Sequence, residues 1–91
     1  MTEEQEKIFN DIMKEAKLVL DKSLKLYKIG KYNEAEPFCK HAIYLYEKAH
    51  EHAKFYESER QNDANDNLII CKNFLNEIAA MQRFEELHNI K

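Results

Sequence analysis

At 91 residues the chain is the length of one compact domain and too short for a TIM barrel or a doubly wound dinucleotide fold. One Gly (Gly30) and one Pro (Pro37) cannot punctuate the turns of an all-β fold, whereas long helices need almost none, so the composition points to an all-α protein. With 14 basic and 17 acidic residues the net charge is −3, which argues against nucleic-acid binding through a strong positive field.

The first element is read as a helix over about residues 4–29. Phe9, Ile12, Ala16, Val19, Leu20 and Tyr27 recur at steps of three and four, with small Ser23 on the same face. Lys14, Lys17, Lys25 and Lys28 gather on the opposite side of the wheel. Lys25, Lys28 and Lys31 suit the negative end of the helix dipole, and Gly30 fits a left-handed stop just past the last turn.

The second helix is expected over about 33–57. Asn33 fits an N-cap, with Glu36 three residues later as its capping-box partner and Pro37 at or just past the first turn. Its apolar face reads Ala35, Phe38, Cys39, Ala42, Leu45, Tyr46, Ala49, Ala53 and Tyr56. The stretch Glu57 to Asn67 holds no large apolar residue and reads as the connection, with Asn62, Asp63, Asn65 and Asp66 available as caps. A third helix, about 64–89, follows from Ile70, Cys71, Phe74, Leu75, Ile78 and Met81. Three amphipathic helices with short connections predict an antiparallel three-helix bundle.

No apolar run reaches the roughly 20 residues of a membrane span. The acidic N-terminus, MTEEQEKIFN, lacks the apolar core of a signal peptide. Two cysteines, Cys39 and Cys71, are too few for a disulfide scaffold, so a cytoplasmic protein with reduced thiols is expected. His50 and His52 face different ways, as do Cys39 and His41, so no metal site is expected. With both thiols on core faces and no Gly-rich phosphate loop, neither a catalytic centre nor a cofactor is expected.

The run Gly30-Lys31-Tyr32-Asn33-Glu34-Ala35, with Cys39 and Ala42, has the spacing G-x-Y-x-E-A…A. It resembles the turn and second helix of a tetratricopeptide repeat, and equally those of the microtubule-interacting-and-transport (MIT) domain. A tetratricopeptide repeat is about 34 residues long and needs neighbouring copies. Here the second helix runs past that length, Glu47 stands where the terminating proline would fall, and there is no second copy. The run Cys71-Lys72-Asn73-Phe74-Leu75-Asn76-Glu77-Ile78 resembles the C-x-x-Y-L-D-R-A run of MIT domains from sorting-pathway AAA ATPases, and Ala16-Lys17-Leu18-Val19 resembles the start of the same family. The resemblance spans about residues 13 to 88.

The resemblance implies a binding module for short C-terminal motifs of ESCRT-III subunits, docked as a helix between helices 2 and 3 or as a strand between helices 1 and 3. For the first groove the expected residues are Phe38, His41, Leu45, Leu68, Leu75, Asn76, Ala79 and Gln82; for the second, Ala16, Leu18 and Leu20. Asn76 and Ala79 stand where family members often carry Asp and Glu, carboxylates that would grip a basic residue of the peptide, so an atypical motif or use of the second groove stays open as the alternative. The implied role is recruitment of a parent protein, such as an AAA ATPase, to endosomal membranes through ESCRT-III tails. The domain itself is expected to be a monomer with no nucleic-acid partner and no direct membrane insertion. The alternative is a tetratricopeptide-like scaffold or self-association module.

Overall fold

A computed structural model describes residues 1–89 and shows three helices in an all-α bundle: α1 (Glu3–Lys28), α2 (Tyr32–Phe55) and α3 (Gln61–Asn89). The molecule is a rod of 59 × 17 × 13 Å. Contacts give the topology. Ser23 meets Ala35 and Gln5 meets His52, so α1 and α2 are antiparallel; Cys39 meets Cys71 and Asn33 meets Gln82, so α2 and α3 are antiparallel too. α2 is the central helix, packed on both neighbours, while α1 and α3 run parallel and barely meet.

α1 starts one residue earlier than the apolar pattern predicts, because Thr2 caps it. The Thr2 hydroxyl accepts from the Gln5 N–H at 3.3 Å, and the Gln5 side chain accepts from the Thr2 N–H at 2.9 Å. Its end matches the expected stop: Gly30 has φ +79°, Gly30 N–H donates to Tyr27, and Lys31 N–H donates to Leu26.

Two expectations need correcting. Asn33 does not cap α2. Lys31 holds the N-cap position, with no side-chain bond, so Asn33 and Glu36 lie inside the helix and Pro37 sits beyond its first turn. The missing Pro37 N–H leaves the exposed Asn33 carbonyl to solvent. Nor is Glu57 to Asn67 a long connection. α2 ends at Phe55 in a second left-handed stop built on Glu57 (φ +52°), with Glu57 N–H donating to Lys54 and Ser58 N–H to Ala53. Ser58 then accepts from Arg60 N–H at 3.1 Å, and α3 begins at Gln61. The helix starts early because Ala64 is a fully buried core residue, packed with Phe9, Ala49 and Ala53.

The core has three layers along the rod. Phe9, Ala49, Ala53 and Ala64 fill one end; Ala16, Ala42, Tyr46, Leu68 and Cys71 fill the middle; Ala35, Cys39, Phe74 and Ile78 fill the other end. Alanine dominates the α2 stripe, which lets both neighbours approach its backbone closely. Ser23, the one buried polar residue among the described residues, donates its hydroxyl to the Ala35 carbonyl at 2.7 Å. Arg60 ties the α2–α3 turn to α1: its guanidinium donates to Asn10, pairs with Glu6 and Asp63, and stacks over the Phe9 ring at 4.6 Å. No described helix is long and apolar enough to cross a membrane.

Candidate functional site

The site follows from the way α2 separates its neighbours. Tyr46 is the one bulky residue in the small α2 stripe, 2% exposed, and its side chain rises between α1 and α3. A trough runs beside it along the α1–α3 seam. One section, of about 510 Å³, is lined by Met13, Lys14, Lys17, Leu20 and Asp21 of α1, Tyr46 of α2 and Asn67 of α3. The next, of about 350 Å³, is lined by Leu20 and Leu24 of α1 and by Ile70, Asn73, Phe74 and Glu77 of α3. Leu20 borders both, so the two sections lie next to each other along the seam, one walled by apolar residues and the other flanked by lysines.

The helix periodicities explain the lining. Met13, Lys17, Leu20 and Leu24 follow one another at steps of three and four down one side of α1. Asn67, Ile70, Phe74 and Glu77 do the same on α3. Phe74 is held in place by Tyr27, edge-on at 5.2 Å, and Tyr27 meets Tyr32 in the same manner. Ile70 is 57% exposed, a large aliphatic side chain presented to the trough. None of Lys14, Lys17, Asp21 or Glu77 forms an ion pair among the described residues. Burial pushes the Tyr46 phenol up to about 12, with smaller contributions from Cys71 and Asp21, so it stays a neutral hydroxyl at the groove floor.

The residues expected in a helix 2/3 groove do not converge. Phe38 lies under Lys22 Nζ of α1, 4.7 Å from its ring centroid. Leu45 is seven residues further along the same side of α2, and His52, seven more, bonds the Gln5 carbonyl of α1 at 2.9 Å. Phe38 and Leu45 therefore sit on the α1 side of α2, not the α3 side. His41 is exposed, edge-on to Tyr44. Leu68 is buried in the middle core layer. Leu75 is half-buried against the Phe74 layer, Asn76 is exposed and Ala79 half-buried. Gln82 donates its side-chain amide to Asn33 Oδ1 at 3.0 Å and so bridges the α2–α3 seam.

Of the helix 1/3 set, Leu20 lines the groove. Ala16 is fully buried beneath it, and Leu18, 58% exposed, points away. The sequence reading missed Leu24, Ile70, Asn73, Glu77 and the floor residue Tyr46. The Ile69–Ile70 doublet carried a signal, since two adjacent helical residues cannot both face one core.

The two thiols are core groups. Cys39 Sγ donates to the Cys71 carbonyl at 3.4 Å, and burial raises Cys39 to about 11 and Cys71 to about 12. Both stay protonated at neutral pH and are poor nucleophiles. Among the described residues no three His, Cys, Asp or Glu side chains gather where a metal could be held. No protein-family model, curated protein or solved structure matches the chain.

Proposed function

We propose that this chain is a non-catalytic protein-interaction module of the MIT type, which takes C-terminal motifs of ESCRT-III subunits in the groove between α1 and α3. It would act in the cytoplasm and recruit the protein that carries it to ESCRT-III polymers on endosomal membranes. The observation that carries this reading is the apolar trough walled by Leu20, Leu24, Ile70 and Phe74. An extended segment entering it buries alternate apolar side chains between the helices. The α2–α3 seam offers less: Leu75 is packed on the core and Gln82 is bonded across to Asn33. A short peptide buries little area and must order on binding, so affinity is weak to moderate and recruitment to a polymer relies on multivalency.

Fluorescence anisotropy with labelled C-terminal peptides from several ESCRT-III subunits tests the proposal. Saturable micromolar binding that Ile70→Asp abolishes supports it. Absence of binding by every peptide at millimolar protein rejects it. A second reading, a scaffold or self-association module, draws on Phe84 and Leu87, 54% and 71% exposed near the end of α3. Sedimentation equilibrium separates the two: a stable dimer favours the scaffold and a monomer the peptide binder.

A further inference from the structure

The groove is not uniform along its length, and its charges are ordered. Lys14 and Lys17 flank one section with a single opposing carboxylate, Asp21; Leu20, Leu24, Ile70 and Phe74 wall the other, where Glu77 stands without a basic neighbour in the lining. These four charged groups are free of ion pairs among the described residues, as are Lys7, Lys25, Lys28 and Lys54 elsewhere on the surface. From Lys14 to Leu24 is ten helical residues, or about 15 Å at 1.5 Å per residue. That equals four to five residues of extended peptide at about 3.3 Å each, before the reach of the lysine side chains is added.

We infer that the groove selects an extended segment of ordered charge: an acidic residue at the Lys14/Lys17 end, apolar residues at alternate positions against Leu20, Leu24, Ile70 and Phe74, and a basic residue at the Glu77 end. This inference rests on the α1–α3 groove being the binding surface, and it names the chemistry of what is bound. Rim charges of this kind set partner choice and encounter rate more than total affinity. Complementarity at both ends fixes which way the segment lies, because reversing it brings Glu against Glu77 and Lys against Lys14 and Lys17.

The probe is a synthetic peptide carrying Glu-Glu, Leu-Ser-Leu and Lys-Lys in that order, titrated by anisotropy at low and at physiological salt. Lys14→Glu/Lys17→Glu is expected to weaken binding by about tenfold and Glu77→Lys by about threefold, both effects shrinking as salt is added. A peptide with Lys at both ends is expected to prefer the Lys14→Glu/Lys17→Glu variant over the parent chain. Lys25→Glu makes half the charge change of the double variant but lies outside the groove lining, and it is expected to leave affinity within twofold. All four substituted positions are exposed, so circular dichroism will show the fold unchanged.

Equal affinities across the groove variants, or an equal loss with Lys25→Glu, overturn the ordered-charge inference, as does failure of the probe to bind at millimolar protein. ESCRT-III tails that bind regardless of groove charge leave the module reading standing and remove this inference. Binding of the ordered probe with no ESCRT-III tail binding does the reverse.

Discussion

The two sides of α3 follow different rules. Facing α2, it buries Cys71 and Ile78 against a stripe of Ala35, Cys39 and Ala42, and Gln82 closes the seam over Asn33. Facing α1, it meets an open groove, and its large aliphatic there, Ile70, is more than half exposed. Small residues on α2 draw both neighbours onto it, and α1 and α3, each packed on α2, barely meet one another. The α2–α3 seam, like α1–α2, is packed, whereas the α1–α3 seam is open, and that open seam is where the proposed binding would fall.

Substitution separates the two seams most sharply at Ile78 and Ile70, eight residues apart on α3. Ile78→Ala empties a fully buried site and is expected to lower unfolding stability by about 2–5 kcal/mol, measured by urea titration. Ile70→Ser is expected to change stability by no more than about 0.5 kcal/mol while weakening peptide binding at least tenfold. Equal stability losses at the two positions would break the comparison.

The turns sharpen it next. Both α1 and α2 end in the same left-handed stop, but one is built on Gly30 and the other on Glu57. A side chain in that conformation costs roughly 1–2 kcal/mol. Gly30→Ala is expected to destabilise by about 1 kcal/mol through backbone strain alone, since nothing lies within 4 Å of the added Cβ. Glu57→Gly is expected to stabilise by about 0.5–1 kcal/mol, read as a rise in melting temperature. Arg60→Ala, which removes the tie between that turn and Phe9, Asn10 and Glu6, is expected to cost about 1 kcal/mol.

A last effect is in pH. Cys39 and Cys71 are raised from 9.0 to about 11 and about 12 by burial. The unfolded thiols ionise first as pH climbs past 9 while the folded ones hold their protons, so stability is full below pH 9 and falls between pH 9 and 12. Tyr46, raised from 10.0 to about 12, adds to the upper part of that fall. Thermal melts at pH 8, 9.5 and 10.5 check the trend, and Cys39→Ala/Cys71→Ala should flatten it. Both thiols are also expected to resist iodoacetamide in the native state and to react in urea.

The number of helices and most of their core faces were legible in the sequence because apolar spacing of three and four is a strong signal over long helices. The start of α3 was not, because the residue that anchors it, Ala64, carries too little apolar area to register in a stretch of Asn and Asp. The Glu57 stop was invisible for a different reason: a left-handed residue is announced by Gly, and Glu gives no such sign. The groove was half legible. A helical wheel shows which residues are peripheral but not which neighbour they face, so Phe38 and Leu45 were assigned to the α3 side when they face α1, and Leu18 was assigned to a groove it points away from. The separation of α1 and α3 is a property of how all three helices pack, which no single-helix pattern carries.

The most direct test of the account is an NMR titration of ¹⁵N- and methyl-labelled protein with C-terminal peptides of ESCRT-III subunits. The account predicts saturable shifts at Leu20, Leu24, Ile70 and Phe74, with the signals of Leu75, Ala79 and Gln82 unmoved. Shifts centred on those last three residues, or none anywhere at millimolar peptide, would contradict it.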